Sequence, residues 1–86
     1  MFKTNNSQDI ELTVKEAVRE VADRMPKLSD NLGCLGIDSL DKIDIATILE
    51  TRLDIKISDS DMMNVKTVQG FVNIAQHAIR ERDKND

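Results

Sequence analysis

Leu35-Gly36-Ile37-Asp38-Ser39-Leu40-Asp41 is the stretch on which the reading of this chain turns. Loop chemistry precedes it: residues 26–38 hold Pro26, Ser29, Asp30, Asn31, Gly33 and Gly36. Helical periodicity follows it. Asp38 and Ser39 are both good N-caps, and they open a pattern that runs to about Leu53. Gly36 lets the backbone turn sharply just before the helix. A serine at such a junction has an exposed hydroxyl beside N–H groups that no helical carbonyl satisfies. The N-terminus of a helix also tolerates an anion, so a phosphodiester on Ser39 would sit in a favourable field. Asp38 and Asp41 flank the serine, where they could meet a cation or the basic side chains of an enzyme. The plainer reading is that Ser39 only caps a helix. Asp-Ser-Leu alone does not decide between the two.

The second helix carries two faces. At about 100° per residue, Ile45, Ile48, Leu49 and Leu53 share one face, the natural core face. Leu40, Ile43 and Thr47 lie roughly 160–220° around from Ile45. Asp44 and Glu50 flank this second strip. An apolar strip with an acidic rim, turned away from the core, reads as a docking surface for a protein with a basic border. Single exposed Leu and Ile residues are also common and need no function. That the strip starts at Ser39 tips the reading towards docking.

Outward from there the pattern is helical throughout. Ile10, Val14, Ala17, Val18, Val21 and Met25 repeat at three- and four-residue steps. They predict a first helix from about Asp9, capped by Ser7 or Asp9, with Pro26 just past its end. The loop at 26–38 is long for so small a domain, and long ordered loops are more often functional. Leu28, Leu32, Leu35 and Ile37 punctuate it, so it is expected to pack across the helices. Asp54–Ser58 is a short connection with Ile55 and Ile57 pointing inward. Asp59–Asn64 predicts one short helical turn begun by Ser58 or Asp59. Thr67 caps a last helix whose stripe is Val68, Phe71, Val72, Ala75, Ala78 and Ile79. Residues 1–8 and the charged tail from Arg80 are expected to fray. With no strand pattern, the fold class is all-α. It is a small four-helix bundle of three longer helices and one short one, with a long loop between the first two, in a single domain over 1–86.

Composition narrows the function. A chain of 86 residues has room for one modest core. Charged residues make up 33% and hydrophobic ones 40%, as in an ordinary globular chain. Phe2 and Phe71 are the only aromatic residues, so the core is built from Ile, Leu, Val and Met. The net charge of −4 speaks against nucleic acid, whose binding depends on neutralising phosphates. It favours basic protein partners, or simply solubility. No apolar run reaches the length of a membrane span, so no stable insertion is expected. Cys34 is the single cysteine, which rules out an intrachain disulfide and fits a reducing compartment. The beginning has no hydrophobic signal segment. The expected location is cytoplasmic, and the expected state is a monomer. Cys34 reads as a buried or inert thiol, since His77, the one histidine, is far away in sequence. Asp59-Ser60-Asp61 resembles part of a calcium loop but lacks its turn glycine and closing glutamate. With no catalytic constellation in view, an enzyme is the weakest reading and no metal site is expected.

These residues resemble the acyl carrier protein family. The signature around a modified serine is matched by Leu35-Gly36-Ile37-Asp38-Ser39-Leu40-Asp41. The resemblance continues through Ile43, Leu49, Glu50 and Leu53, through Asp54-Ile55-Lys56-Ile57, and through Val65-Lys66-Thr67-Val68-Gln69, covering about residues 10–80. It implies that Ser39 receives 4′-phosphopantetheine from coenzyme A, through a phosphopantetheinyl transferase that uses magnesium. The arm's thiol then holds acyl intermediates as thioesters for fatty-acid, lipid or polyketide-type biosynthesis. The partners implied are acyl-loading, condensing and acyl-transferring enzymes. Asp38, Leu40, Asp41, Ile43, Asp44, Thr47 and Glu50 fall where the family meets them, with Ile57 and Met62 as further contacts. In some members the helices part to shelter the cargo, and Ile45, Leu49, Val65, Val68 and Phe71 are the matching lining residues. They are also ordinary core residues.

There are departures. Ser58 stands where many members have proline, and Met62 and Met63 stand where small or acidic residues are usual. Lys42, Arg52 and Lys56 dilute the acidic charge, and Cys34 replaces an acidic residue. They suggest a specialised rather than a housekeeping carrier. The alternatives are an aminoacyl carrier, for D-alanyl or peptidyl cargo, or an unmodified helical interaction module.

Overall fold

The computed structural model describes residues 7–84. Four α-helices run in the order α1 (Ser7–Ala22), α2 (Ser39–Leu53), α3 (Asp59–Met63) and α4 (Val68–Lys84), with a 3-10 turn at Leu32–Leu35 between the first two. Among the described residues there is no strand, only an isolated bridge between Asn31 and Thr67. The three longer helices and the short one are those predicted.

Among the described residues the core is aliphatic around one aromatic ring. Phe71 is fully buried, with Val14, Val18, Leu32, Ile45, Leu49, Val68 and Val72. These residues come from every long helix and from the loop, so one cluster ties all of them together. The α4 stripe is buried as its spacing predicts, with Ala78 half-buried at its margin.

Both ends of α1 differ from expectation. The helix starts at Ser7, so Asp9 lies inside its first turn and does not cap it. It stops at Ala22 because Asp23 turns left-handed, with φ 66°, and its N–H closes on the Arg19 carbonyl at 2.7 Å. Aspartate is among the few residues that adopt this conformation at modest cost. Met25 therefore lies beyond the helix and is exposed rather than on its apolar face. Asp54 ends α2 in the same way, with φ 55°.

The charged tail is ordered further than predicted. Helix α4 continues through Arg80 to Lys84. Arg82 explains the extension. Its Nη1 donates to the carbonyls of Leu53 at 2.7 Å and Asp54 at 3.2 Å, which are orphan acceptors at the end of α2. The expected fraying of residues 1–6 and 85–86 lies outside the described residues.

The long loop is held down at its far end. Val68 and Gln69, at the start of α4, donate their N–H groups to the carbonyls of Asp30 (3.1 Å) and Leu28 (2.9 Å). Leu32 N–H donates to the Lys66 carbonyl at 2.9 Å. The loop thus satisfies N–H groups that α4 cannot satisfy itself. Thr67 Oγ1 adds its predicted cap, accepting from Gly70 N–H at 3.2 Å. With its leucines packed down, the loop delivers the chain to the head of α2 from a fixed direction.

Candidate functional site at the head of the second helix

Local chemistry builds the site in three steps. Asn31 caps the 3-10 turn, its side-chain oxygen accepting from Gly33 N–H at 2.9 Å. Gly36 then ends that turn in the left-handed region, with φ 79°. Its freedom matters here, because a Cβ would be strained at this φ even though nothing crowds it. Ile37 is buried and anchors the approach. Asp38 then caps α2. Its Oδ1 accepts from Asp41 N–H at 3.0 Å, while Asp41 Oδ2 accepts from Asp38 N–H at 3.2 Å. This reciprocal capping box encloses Ser39, the first residue of the helix, which is exposed. The serine need not cap anything, because Asp38 does so.

The acidic pair therefore has a structural duty before any partner arrives. The strip predicted to face away from the core is solvent-facing: Leu40 is 71% and Ile43 45% exposed. Asp44 and Thr47 are exposed beside them, and the Thr47 hydroxyl donates to the Ile43 carbonyl at 2.9 Å. On the other side of α2, Ile45 and Leu49 are fully buried. Glu50 is half-buried, and its Oε2 accepts from Ile57 N–H at 2.9 Å, so it braces the connection to α3.

Two expected contact residues need revision. Met62 is 3% exposed and plugs the core, so it offers no side chain to a partner. The exposed methionine of α3 is Met63. Ile57 is half-buried against the core and presents only part of its surface. The basic residues of α2 are turned to neighbours. Lys42 Nζ donates to the Met63 carbonyl at 3.3 Å, and Arg52 pairs with Glu20 of α1. Sequence reasoning missed both roles because each partner lies far along the chain. Cys34 is exposed on the 3-10 turn rather than buried. His77 is exposed on α4, within 3.9 Å of Glu81. Asp59-Ser60-Asp61 lies in α3 with Ser58 as its cap, so it forms no calcium loop.

An exposed serine at a helix head, beside an apolar strip, suits attachment of an anionic group. The profile of a family described as a phosphopantetheine attachment site matches residues 12–74. The chain belongs to the acyl carrier protein family. Similar relatives include acyl carrier protein 4 of Arabidopsis thaliana, a chloroplastic protein, at 28% identity over 93% of this chain. The chain spans 58% of that protein's length. The acyl carrier protein of Buchnera aphidicola is 31% identical over 81% of this chain and 92% of its own length. Among solved structures, an acyl carrier protein from Thermotoga maritima superposes with a TM-score of 0.78 at 19% identity, covering 95% of this chain and all of that one. The 3,7-dioxo-octyl actinorhodin acyl carrier protein of Streptomyces coelicolor gives 0.67 at 22% identity, covering 90% of this chain and 93% of that one. At these identities the two structures speak for the fold. The acyl carrier protein family is a family of carriers rather than of catalysts. Among the described residues no helix is long and apolar enough to cross a membrane.

Proposed function

We propose that Ser39 carries 4′-phosphopantetheine and that the protein presents acyl intermediates to biosynthetic enzymes. The single observation that carries this reading is an exposed Ser39 at the first position of α2, released from capping duty by Asp38. In the attachment step Ser39 Oγ bonds to the β-phosphorus of coenzyme A. The phosphoanhydride bond breaks, 3′,5′-ADP leaves, and the hydroxyl proton passes to a base on the transferase. When bound, the arm supplies a thiol that activates acyl groups as thioesters.

The protein's own residues do the rest. The helix head stabilises the phosphodiester through its N–H groups and dipole. Asp38 and Asp41 fix the backbone on either side of Ser39, so the arm leaves from a rigid point. Leu40, Ile43 and Thr47 form the apolar contact, with Asp44 as its charged rim. Partners with a basic border are steered by that charge and anchored by the two aliphatic side chains. In this reading Met63 replaces Met62 in the contact surface, and Ile57 and Glu50 shape it from behind. The chain works as one domain, as a monomer, in the cytoplasm, and meets a phosphopantetheinyl transferase and then acyl-loading, condensing or acyl-transferring enzymes.

Incubation with coenzyme A, magnesium and a broad-specificity transferase, followed by intact mass measurement, tests the reading. The protein is expected to gain one phosphopantetheine. No gain, from a sample shown to be folded, would leave a helical interaction module as the better account.

A further inference from the structure

Lys42 is the one basic residue of α2 before Arg52, and it stands three places after Ser39. On a helix such a pair shares a face, with Cβ atoms about 5–6 Å apart. Helical side chains lean towards the N-terminus, so Lys42 leans over the turn that begins at Ser39. Its surroundings agree. Lys42 is half-buried and lines a cleft of about 220 Å³ whose other walls include Asn31, Gly33, Ile37, Val65 and Lys66. Gly33 and Ile37 come just before Ser39 in the chain, so the cleft lies at the head of α2. Its volume is below the roughly 300–1,000 Å³ usual for small-ligand sites. That is room for one anionic group rather than a whole molecule.

The hydrogen bonds there leave Lys42 with donors to spare. Its Nζ donates to the Met63 carbonyl at 3.3 Å. An ammonium has three N–H donors, of which that carbonyl takes one. Among the described residues Lys42 pairs with no carboxylate. The nearest acids in sequence, Asp38 and Asp41, are engaged with each other's backbone amides. Lys66 brings a second cation to the cleft. A phosphodiester on Ser39 would be a third anion on this turn, beside Asp38 and Asp41. The partial charge of the helix head offsets part of that repulsion. Lys42 is the full charge placed to offset the rest.

We propose that Lys42 is a positioning residue for the arm, its ammonium holding the phosphodiester on Ser39 and the Met63 carbonyl together. The inference rests on the carrier reading and adds how the root of the arm is fixed. The contact is a charge-assisted hydrogen bond, stronger than one between neutral groups. Through one nitrogen it ties the root of the arm to the end of α3. It also gives the lysine a duty away from the docking strip. Because the cation faces α3, Leu40 and Ile43 keep the acidic border that Asp44 supplies.

The test reads the phosphorus nucleus. Wild type, Lys42→Met, Lys42→Arg and Lys56→Met are treated with coenzyme A, magnesium and the transferase, then checked by intact mass and circular dichroism. If wild type gains no phosphopantetheine, it is the carrier reading that fails. With loading established, phosphorus NMR of each holo-protein is recorded at low salt. Lys42→Met is expected to displace the phosphorus resonance and to speed the local motion read from its relaxation. Lys42→Arg should restore the wild-type values. Lys56 carries the same charge beyond the far end of α2, so Lys56→Met should change neither. The Asn64 amide, peptide-bonded to the Met63 carbonyl, should shift between apo and holo wild type and much less in Lys42→Met. Should Lys42→Met fold poorly, wild type itself carries the test. Raising ionic strength from about 0.01 M to about 1 M cuts the screening length from about 30 Å to about 3 Å. That should move its phosphorus resonance further than that of free phosphopantetheine. A resonance shared by every holo-protein and no more sensitive to salt than the free arm would overturn the proposal. So would an equal displacement in Lys56→Met, which would make it an effect of net charge.

Discussion

Asp38 and Asp41 hold each other's backbone amides across the first turn of α2, at 3.0 and 3.2 Å, with Ser39 between them. The pair that resembles a docking or cation-binding feature in the sequence is thus also the device that fixes the serine. Asp38→Ala should cost about 1 kcal/mol of unfolding free energy, read by urea denaturation. Asp38→Asn keeps a capping oxygen and should cost only a few tenths. If both variants lose transferase rate equally while only the alanine loses stability, the charge of Asp38 serves the enzyme as well as the fold.

The two faces of α2 predict opposite outcomes. Ile43→Ala and Asp44→Lys lie on the solvent side and should leave stability within about 0.5 kcal/mol. Turnover by an acyl-transferring partner should fall in both. Met62→Ala should instead cost roughly 2–5 kcal/mol, because it empties a core position. A thermal melt of the three variants side by side checks the assignment. A stability loss for Ile43→Ala as large as that for Met62→Ala would show the face to be wrongly placed.

Arg82 predicts that the end of the chain matters. It closes the carbonyls at the end of α2 through one guanidinium nitrogen. Hydrogen bonds from charged groups contribute roughly 1.5–3 kcal/mol. The part-exposed position argues for the lower end. Arg82→Ala should lower the denaturation midpoint accordingly, and a chain cut after Arg80 should behave the same. An unchanged midpoint would mean that the last turn of α4 adds nothing to the fold.

Left-handed residues give a signed pair. Gly36 has φ 79° and Asp23 φ 66°. Gly36→Ala should destabilise by about 1 kcal/mol, since a Cβ is strained there. Asp23→Gly should stabilise by a few tenths to about 1 kcal/mol, because glycine is the preferred residue at this helix terminus. Equilibrium unfolding of both variants measures the signs. By contrast the exposed Arg52–Glu20 pair is about two-fifths exposed on each side. Arg52→Ala should change stability by less than about 1 kcal/mol.

Much of this architecture was legible because helix periodicity and capping are local. The boundaries of α2 follow from Asp38 and from a stripe ending at Leu53. Thr67 and Ser58 act as the caps their side chains suggest. What could not be read was set by distant partners. Nothing near Arg82 in sequence shows that it would find the carbonyl of Leu53. Nothing near Lys42 shows that its charge would turn to α3. Met62 and Met63 are adjacent and chemically identical, so only the docking angle of a five-residue helix separates the core plug from the surface residue. Met25 kept the helical spacing of α1 but lay past a left-handed aspartate, which composition does not reveal. The geometry of the candidate site was the most readable part, since glycine turn, cap, serine and exposed strip all lie within one continuous segment.

The account stands most directly on which hydroxyl is esterified. After reaction with coenzyme A and the transferase, proteolysis and tandem mass spectrometry should place the phosphopantetheine on the peptide containing Ser39, with fragment ions bracketing that residue. Ser39→Ala should remain unmodified while keeping its fold. Modification of Ser29, Ser58 or Ser60 instead, or an equal mass gain in Ser39→Ala, would contradict it.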